Sequence, residues 1–91
     1  MRYEVKMAVE AEADFLRIGE YLVKNDFDFG IALTIRKDIY RKLSDKPRNN
    51  PHLDNGIYKM LVLRKNVVYY EIRENTVTVL RIRAGGMNVE L

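Results

Sequence analysis

The spacing of the hydrophobic positions changes along the chain, from alternate positions near both ends to helical spacing between them. Residues 3–7 alternate between apolar and charged side chains, which predicts a short half-buried strand. Residues 57–83 form three runs rich in Val, Ile, Leu and Tyr, separated by polar breaks at 64–66 and 74–75. Because each break is too short for a crossover helix, the runs predict three neighbouring antiparallel strands.

Two helices are predicted between the first strand and this meander. Apolar side chains recur at spacings of three and four over 11–25 and again over 29–47, the pattern of amphipathic helices. The stripes predicted to face the core are Ala11, Phe15, Ile18 and Leu22, then Ala32, Ile35, Ile39 and Leu43. Asp28 is a candidate N-cap for the second helix and Pro47 ends it. The short link predicts an antiparallel helical hairpin.

The two faces of the predicted meander differ in polarity. A two-residue period places Val68, Tyr70 and Ile72 on one face, and we expect this core face to continue into Leu80 and Ile82. The opposite face would then carry Val67, Tyr69, Val79, Arg81 and Arg83. An apolar face with arginines needs a partner, so the sequence directs attention to this second face.

The order of elements predicts one domain over residues 1–91. It is an α+β fold, β-α-α-β-β-β, in which an N-terminal strand and a helical hairpin pack with a mostly antiparallel sheet. Residues 47–56, rich in Pro and Asn, form the predicted loop between hairpin and meander. After the last strand, Ala84-Gly85-Gly86 predicts a flexible or sharply turned tail.

Composition narrows the classes of function. With 47% hydrophobic residues among 91, the chain can bury a small core. The absence of cysteine excludes disulfides and thiolate zinc sites. We find no motif for a metal or cofactor and no apolar run typical of a signal peptide or membrane span, and we therefore expect a cytoplasmic protein without a membrane partner. A net charge of +3 permits a nucleic-acid or an acidic protein partner without requiring either.

The combined pattern resembles the RelE/ParE superfamily of bacterial and archaeal toxins. The residues that carry the resemblance are Ala11, Asp14, Phe15, Ile18, Tyr21, Leu22, Ala32, Ile39, Leu43, Pro47, and the runs 56–59, 68–72 and 77–82. The resemblance implies a toxin of a type II toxin–antitoxin system, held inactive in a hetero-oligomer with its cognate antitoxin. ParE-type toxins inhibit DNA gyrase, whereas RelE-type toxins enter the ribosome and cut mRNA. A third alternative is a degenerate member that only binds the antitoxin.

The resemblance also implies where an RNase site would lie. RelE-type cleavage needs cations around the scissile phosphate, and Lys59 matches one such position, but Leu61 and Val67 occupy two others, and 84–86 carries no basic residue. We therefore favour the ParE-like branch. The remaining catalytic candidates are Lys59, Tyr69, Arg81 and Arg83.

Two surfaces are predicted to bind the antitoxin. One lies beside the helices, at Tyr21, Phe27, Phe29 and Tyr40, and the other is the sheet face with Tyr69, Arg81 and Arg83. Aromatic and arginine side chains dominate the energetics of protein interfaces. Asp14 is interpreted as structural, and the lone His52 as an exposed loop residue.

Overall fold

The computed structural model describes residues 2–53, 55–63 and 66–84. The elements in chain order are β1 (Glu4–Met7), α1 (Val9–Lys24), α2 (Gly30–Asp45), a 3-10 turn (Pro47–Asn49), β2 (Tyr58–Val62), β3 (Asn66–Arg73) and β4 (Thr76–Arg83). The predicted order β-α-α-β-β-β is confirmed. Neither helix in these ranges is long and apolar enough to cross a membrane.

The strands form one mixed sheet in the order β1-β4-β3-β2. β2, β3 and β4 make the predicted antiparallel meander. β1 runs parallel to β4 and pairs with residues 76–79 only. The second half of β4 therefore extends beyond β1 and has no strand partner on that side among the described residues.

Both helices pack on the same face of the sheet. All eight side chains of the two predicted helical stripes are buried, together with Met60, Val62, Val68, Tyr70, Val77, Val79 and Ile82 from the strands. The N-cap of α2 is Phe29 rather than the predicted Asp28, although the Asp28 Oδ1 atom accepts the Gly30 N–H at 2.8 Å. α2 ends at Asp45, and Pro47 opens the 3-10 turn as its first residue. Buried Tyr70 donates its hydroxyl proton to the Pro47 carbonyl and so ties this turn to the sheet.

A β-bulge in β4 overturns one prediction about the sheet faces. Tyr69 pairs with Arg81, but Tyr70 pairs with Val79, so Leu80 has no opposing residue. The extra residue shifts the alternation by one position. Val79 is therefore buried rather than on the outer face, and Leu80, which was predicted to be core, is only half-buried.

Two further predictions differ at segment ends. Asn66 was assigned to the break between strands, but it begins β3, is buried, and donates from Nδ2 to the Leu63 carbonyl. Its side chain therefore satisfies part of the backbone at the turn. The Gly85-Gly86 part of the predicted tail lies outside the described residues.

Candidate functional site

The sheet face that points away from the helices carries two cross-strand rows, which together we call the outer face. Lys59, Tyr69 and Arg81 form one row across β2, β3 and β4, because Tyr69 pairs with both of the others. In the next row Val67 pairs with Leu61 on one side and with Arg83 on the other. The outer face thus brings together all four catalytic candidates from the sequence.

A shallow groove of ≈ 410 Å³ crosses the outer face at its β4 side. It is lined by Leu53, Asn55, Ile57, Tyr69, Leu80, Arg81 and Arg83. Leu80 reaches the groove because of the bulge, since strict alternation would have placed it in the core. The groove therefore combines apolar walls, one tyrosine ring and two arginines.

Arg81 is held from the helical layer by Asp14 of α1. Its Nε and Nη2 atoms donate to the two Asp14 carboxylate oxygens at 2.7 and 3.0 Å, which is a bidentate pair. The backbone N–H of Ile82 donates to the same carboxylate at 2.9 Å. Arg17 adds a third donor group at 3.2 Å. The sequence-based interpretation of Asp14 as structural agrees with these contacts.

Asp14 accepts a backbone hydrogen bond from the part of β4 that does not pair with β1. The Ala8 N–H donates to Val79 O at 2.8 Å where β1 ends, and Asp14 then accepts the Ile82 N–H. Burial by itself raises the pKa of Asp14, but the hydrogen bonds from Arg81 and Ile82 and the charges of Arg81 and Arg17 outweigh burial, so the pKa lies below its usual value. The carboxylate is therefore charged in the folded protein, and both of its oxygens accept hydrogen bonds.

The two groove arginines consequently have different roles. The Arg81 side chain is 43% exposed but is committed to Asp14. Arg83 lies at the end of β4, is exposed, and has no carboxylate partner among the ion pairs of the described residues. Arg83 is thus the groove cation available to a ligand, whereas Arg81 mainly joins the sheet to α1.

The outer face is better suited to binding than to phosphodiester cleavage. Leu61 and Val67, the positions where a RelE-like site needs cations, are direct cross-strand neighbours. His52 is exposed on the preceding loop, where its ring lies 4.6 Å from that of Tyr58. Lys59 and Tyr69 are side chains capable of general acid–base catalysis, but the row beside them supplies one cation, Arg83, next to two aliphatic side chains.

A second candidate surface lies on the outside of the helical hairpin. Two open grooves of ≈ 550 and ≈ 690 Å³ occur there. The first contains the predicted residues Tyr21 and Phe29, and the second contains Tyr40 together with Leu33 and Lys37. We call these two grooves the hairpin surface.

Sequence analysis considered only the buried stripe of α1 and missed a second set of apolar residues on that helix. Val9, Leu16 and Val23 recur every seven residues, so they share one side of α1, and their exposed fractions are 82%, 56% and 55%. α1 therefore carries a second apolar stripe away from the core. Of these three residues, Val23 lines the first groove of the hairpin surface.

The ring of Phe29 packs directly against Gly19, the one glycine of α1. A Cβ atom on Gly19 would lie 2.4 Å from the Phe29 ring, and the Phe29 ring also meets Phe15 edge-on at 6.3 Å. Arg36 pairs with Glu12 at 2.8 Å and lies 5.0 Å from the centre of the Phe15 ring. These contacts fix the shape of the hairpin surface.

We expect Gly19→Ala to destabilise the protein although alanine is the better helix former. The new methyl group must displace the Phe29 ring, whereas in a Phe29→Ala background the same change should stabilise by about 0.5–1 kcal/mol. Urea unfolding of the two single variants and the double variant gives the coupling, which we expect to be at least about 1 kcal/mol. Equal stabilisation by Gly19→Ala in both backgrounds would contradict the contact.

Comparisons with known proteins agree with this architecture. The model of a family described as the ParE toxin of the type II toxin–antitoxin system parDE matches residues 5–89. A solved structure of the chromosomal ParDE toxin–antitoxin system from Pseudomonas aeruginosa is similar to the chain with a TM-score of 0.67 and 19% identity, covering 91% of this chain and 96% of that one. The solution structure of a conserved hypothetical protein from Helicobacter pylori has a TM-score of 0.58 and 14% identity, covering 89% and 92% respectively. None of the curated proteins is a match. The two structural similarities establish the fold, and the family match covers nearly the whole chain.

Proposed function

The chain belongs to the ParE toxin family of type II toxin–antitoxin systems, and on that basis we propose that it binds a cognate antitoxin and inhibits DNA gyrase. The family assignment confirms the resemblance to the RelE/ParE superfamily and its ParE-like branch. A gyrase inhibitor acts where gyrase is, which places this activity in the cytoplasm. The complex with the antitoxin would be a hetero-oligomer.

The observation that carries the antitoxin proposal is the pair of uncovered surfaces on opposite sides of the molecule. On the hairpin surface Val23 and Leu33 are each about half exposed. The outer face exposes Leu61 by 63% and adds the uncommitted Arg83. A single partner chain would have to wrap the toxin to reach both.

Each surface favours a different part of such a partner. Open apolar grooves on two packed helices accept an amphipathic helix, whose apolar face buries side chains at helical spacing. The outer face is a row of strands with arginine at one end, which suits an extended acidic segment. We therefore assign a helix of the antitoxin to the hairpin surface and a following extended segment to the outer face.

The preference for gyrase over ribosome-bound mRNA rests on the row Leu61–Val67–Arg83. Stabilising a phosphoryl transition state requires several positioned charges, and this row supplies one arginine beside two aliphatic side chains. Lys59 and Arg81 lie in the adjacent row, but Arg81 is neutralised by Asp14. An inhibitor that acts by binding needs no such set of charges.

We expect the purified protein to inhibit supercoiling by gyrase, and its induced expression to cause a DNA-damage response. In a reconstituted translation reaction, the ribosome-bound mRNA should remain uncut. The control is the toxin mixed with antitoxin, which should restore supercoiling. Cleavage of mRNA would replace this proposal with the RelE-like alternative. No effect in either reaction would leave only antitoxin binding, the third alternative.

A further inference from the structure

A basic depression lies at the end of α2 and meets the outer face at Leu61. It has a volume of ≈ 560 Å³ and is lined by Arg2, Arg41, Lys42, Asp45, Lys46, Asn49, Asn50, Met60 and Leu61. Its walls come from the N-terminal segment, the last turns of α2, the 3-10 turn and β2. We call it the basic depression.

Charge is concentrated there. Four cationic side chains line the depression against one carboxylate, Asp45, while the whole chain has a net charge of only +3. One further carboxylate, Asp38, lies beneath the wall and is 9% exposed. With Asp38 included, the depression carries a formal charge of +2, most of the +3 of the whole chain.

Two of the cations are held in place by the buried carboxylate. Arg41 Nη2 lies 2.7 Å from Asp38 Oδ1, and Lys42 Nζ lies 3.3 Å from Asp38 Oδ2. The Arg41 side chain is nevertheless 72% exposed, and a guanidinium group with five N–H donors has several left after this contact. The pairing therefore orients the two side chains without using up their capacity to bind an anion.

The other two cations are less constrained. Arg2 makes a long contact of 3.4 Å with Ser44 Oγ, and no described carboxylate forms an ion pair with Lys46. Cations near a helix C-terminus are favoured by the helix dipole, but that effect is confined to the last turn. It does not account for Arg2, which reaches the depression from the other end of the chain.

The shape and lining favour a phosphodiester backbone over other anions. The depression is larger than one phosphate ion requires, and its cations are distributed over the wall rather than focused on one point. A nucleic-acid backbone presents a charge at every ~3.4 Å of the helix axis per strand, which suits a distributed set of cations. None of the described lining residues is aromatic, so bases would find no stacking surface of the kind that single-strand binders use.

We propose that the basic depression is a phosphate-binding site through which this protein contacts the backbone of duplex nucleic acid without reading its sequence. The depression is largely separate from the antitoxin surfaces: it shares Leu61 with the outer face, and none of its other described lining residues belongs to either surface. A protein bound in this way could stay close to a nucleic-acid-bound target.

The test is the salt dependence of binding to a fluorescently labelled duplex of mixed sequence, followed by anisotropy. The slope of log K against log salt concentration is negative, and each phosphate contact adds about 0.9 to its magnitude for B-DNA. We expect the double variant Arg2→Ala/Lys46→Ala to reduce that magnitude by about 1.8. Neither side chain pairs with a buried carboxylate, so the fold should be retained, as circular dichroism would show.

The matched control is Lys6→Ala/Lys24→Ala, which removes the same charge from outside the depression and should leave the slope nearly unchanged. The site is refuted if both double variants lower the slope equally or if the duplex does not bind at low salt. Two other anions distinguish a nucleic acid from other ligands. If Arg2→Ala/Lys46→Ala weakens the binding of poly-glutamate more than it weakens the binding of the duplex, the partner is an acidic protein instead. Binding of inorganic phosphate alone, without the duplex, would indicate a small phosphorylated ligand instead, and either result overturns the proposal.

Discussion

Asp14→Ala is expected to lower the free energy of unfolding by about 2–3 kcal/mol. The variant leaves the buried Ile82 N–H without its acceptor and breaks the bidentate contact to Arg81. Removing one partner of a fully buried ion pair costs about 3–5 kcal/mol. The loss here is smaller because Arg81 is 43% exposed and water can solvate it once the carboxylate is gone.

Urea unfolding at neutral pH measures this loss. Glu12→Ala is the matched control, because it removes another α1 carboxylate that pairs with an arginine, Arg36, but is 46% exposed. A partly exposed pair of this kind contributes at most about 1 kcal/mol. If the two substitutions cost the same, Asp14 does not hold β4 to α1 in the way that its contacts indicate.

The pH dependence provides an independent check on the same carboxylate. The pKa of Asp14 is lowered in the folded state, so its charge stabilises the fold at any pH above the unfolded-state value of about 3.9. This contribution is lost as the pH falls through the lower folded-state pKa. The stability difference between the native protein and Asp14→Asn should therefore be largest near neutral pH and shrink below about pH 4. A difference that stays constant into acid would show that the charge contributes nothing.

The helical layer was predictable from the sequence because its signal is local. Spacings of three and four residues identify a buried stripe without knowledge of any partner element, and all eight predicted stripe residues are buried. Tyr70 was likewise correctly assigned to the core, because alternation holds throughout β3 up to that position.

The second half of β4 was not predictable in the same way. A bulge leaves no mark in the alternation of a run as apolar as 76–83, so Val79 and Leu80 were assigned to the wrong faces. The Arg81–Asp14 pair joins residues 67 positions apart, and no local pattern predicts such a contact. The alternation pattern therefore placed Arg81 and Arg83 on one face correctly. It contained no indication that Asp14 neutralises Arg81.

This difference between the two arginines decides how antitoxin binding should be tested. Arg81→Ala would change both the fold and the outer face, so a loss of affinity could not be assigned to either. Arg83→Ala removes a groove cation without disturbing an ion pair of the described residues. On the hairpin surface Leu33 is 49% exposed, so Leu33→Asp places a charge in the larger groove without opening the core.

We expect Arg83→Ala and Leu33→Asp each to weaken antitoxin binding about 10- to 100-fold, as interface anchors do. The two surfaces lie on opposite faces of the molecule, so the free-energy losses should add, and the double variant should bind about 100- to 10,000-fold more weakly. Titration calorimetry with the cognate antitoxin measures all three. The control is Lys6→Ala, at an exposed position of β1 that lines neither surface. This variant should change the affinity less than about twofold.

If the double variant binds no more weakly than the single variant with the lower affinity, the antitoxin engages one surface only. If Arg83→Ala behaves like Lys6→Ala, that surface is the hairpin, and the outer face is left uncovered in the complex.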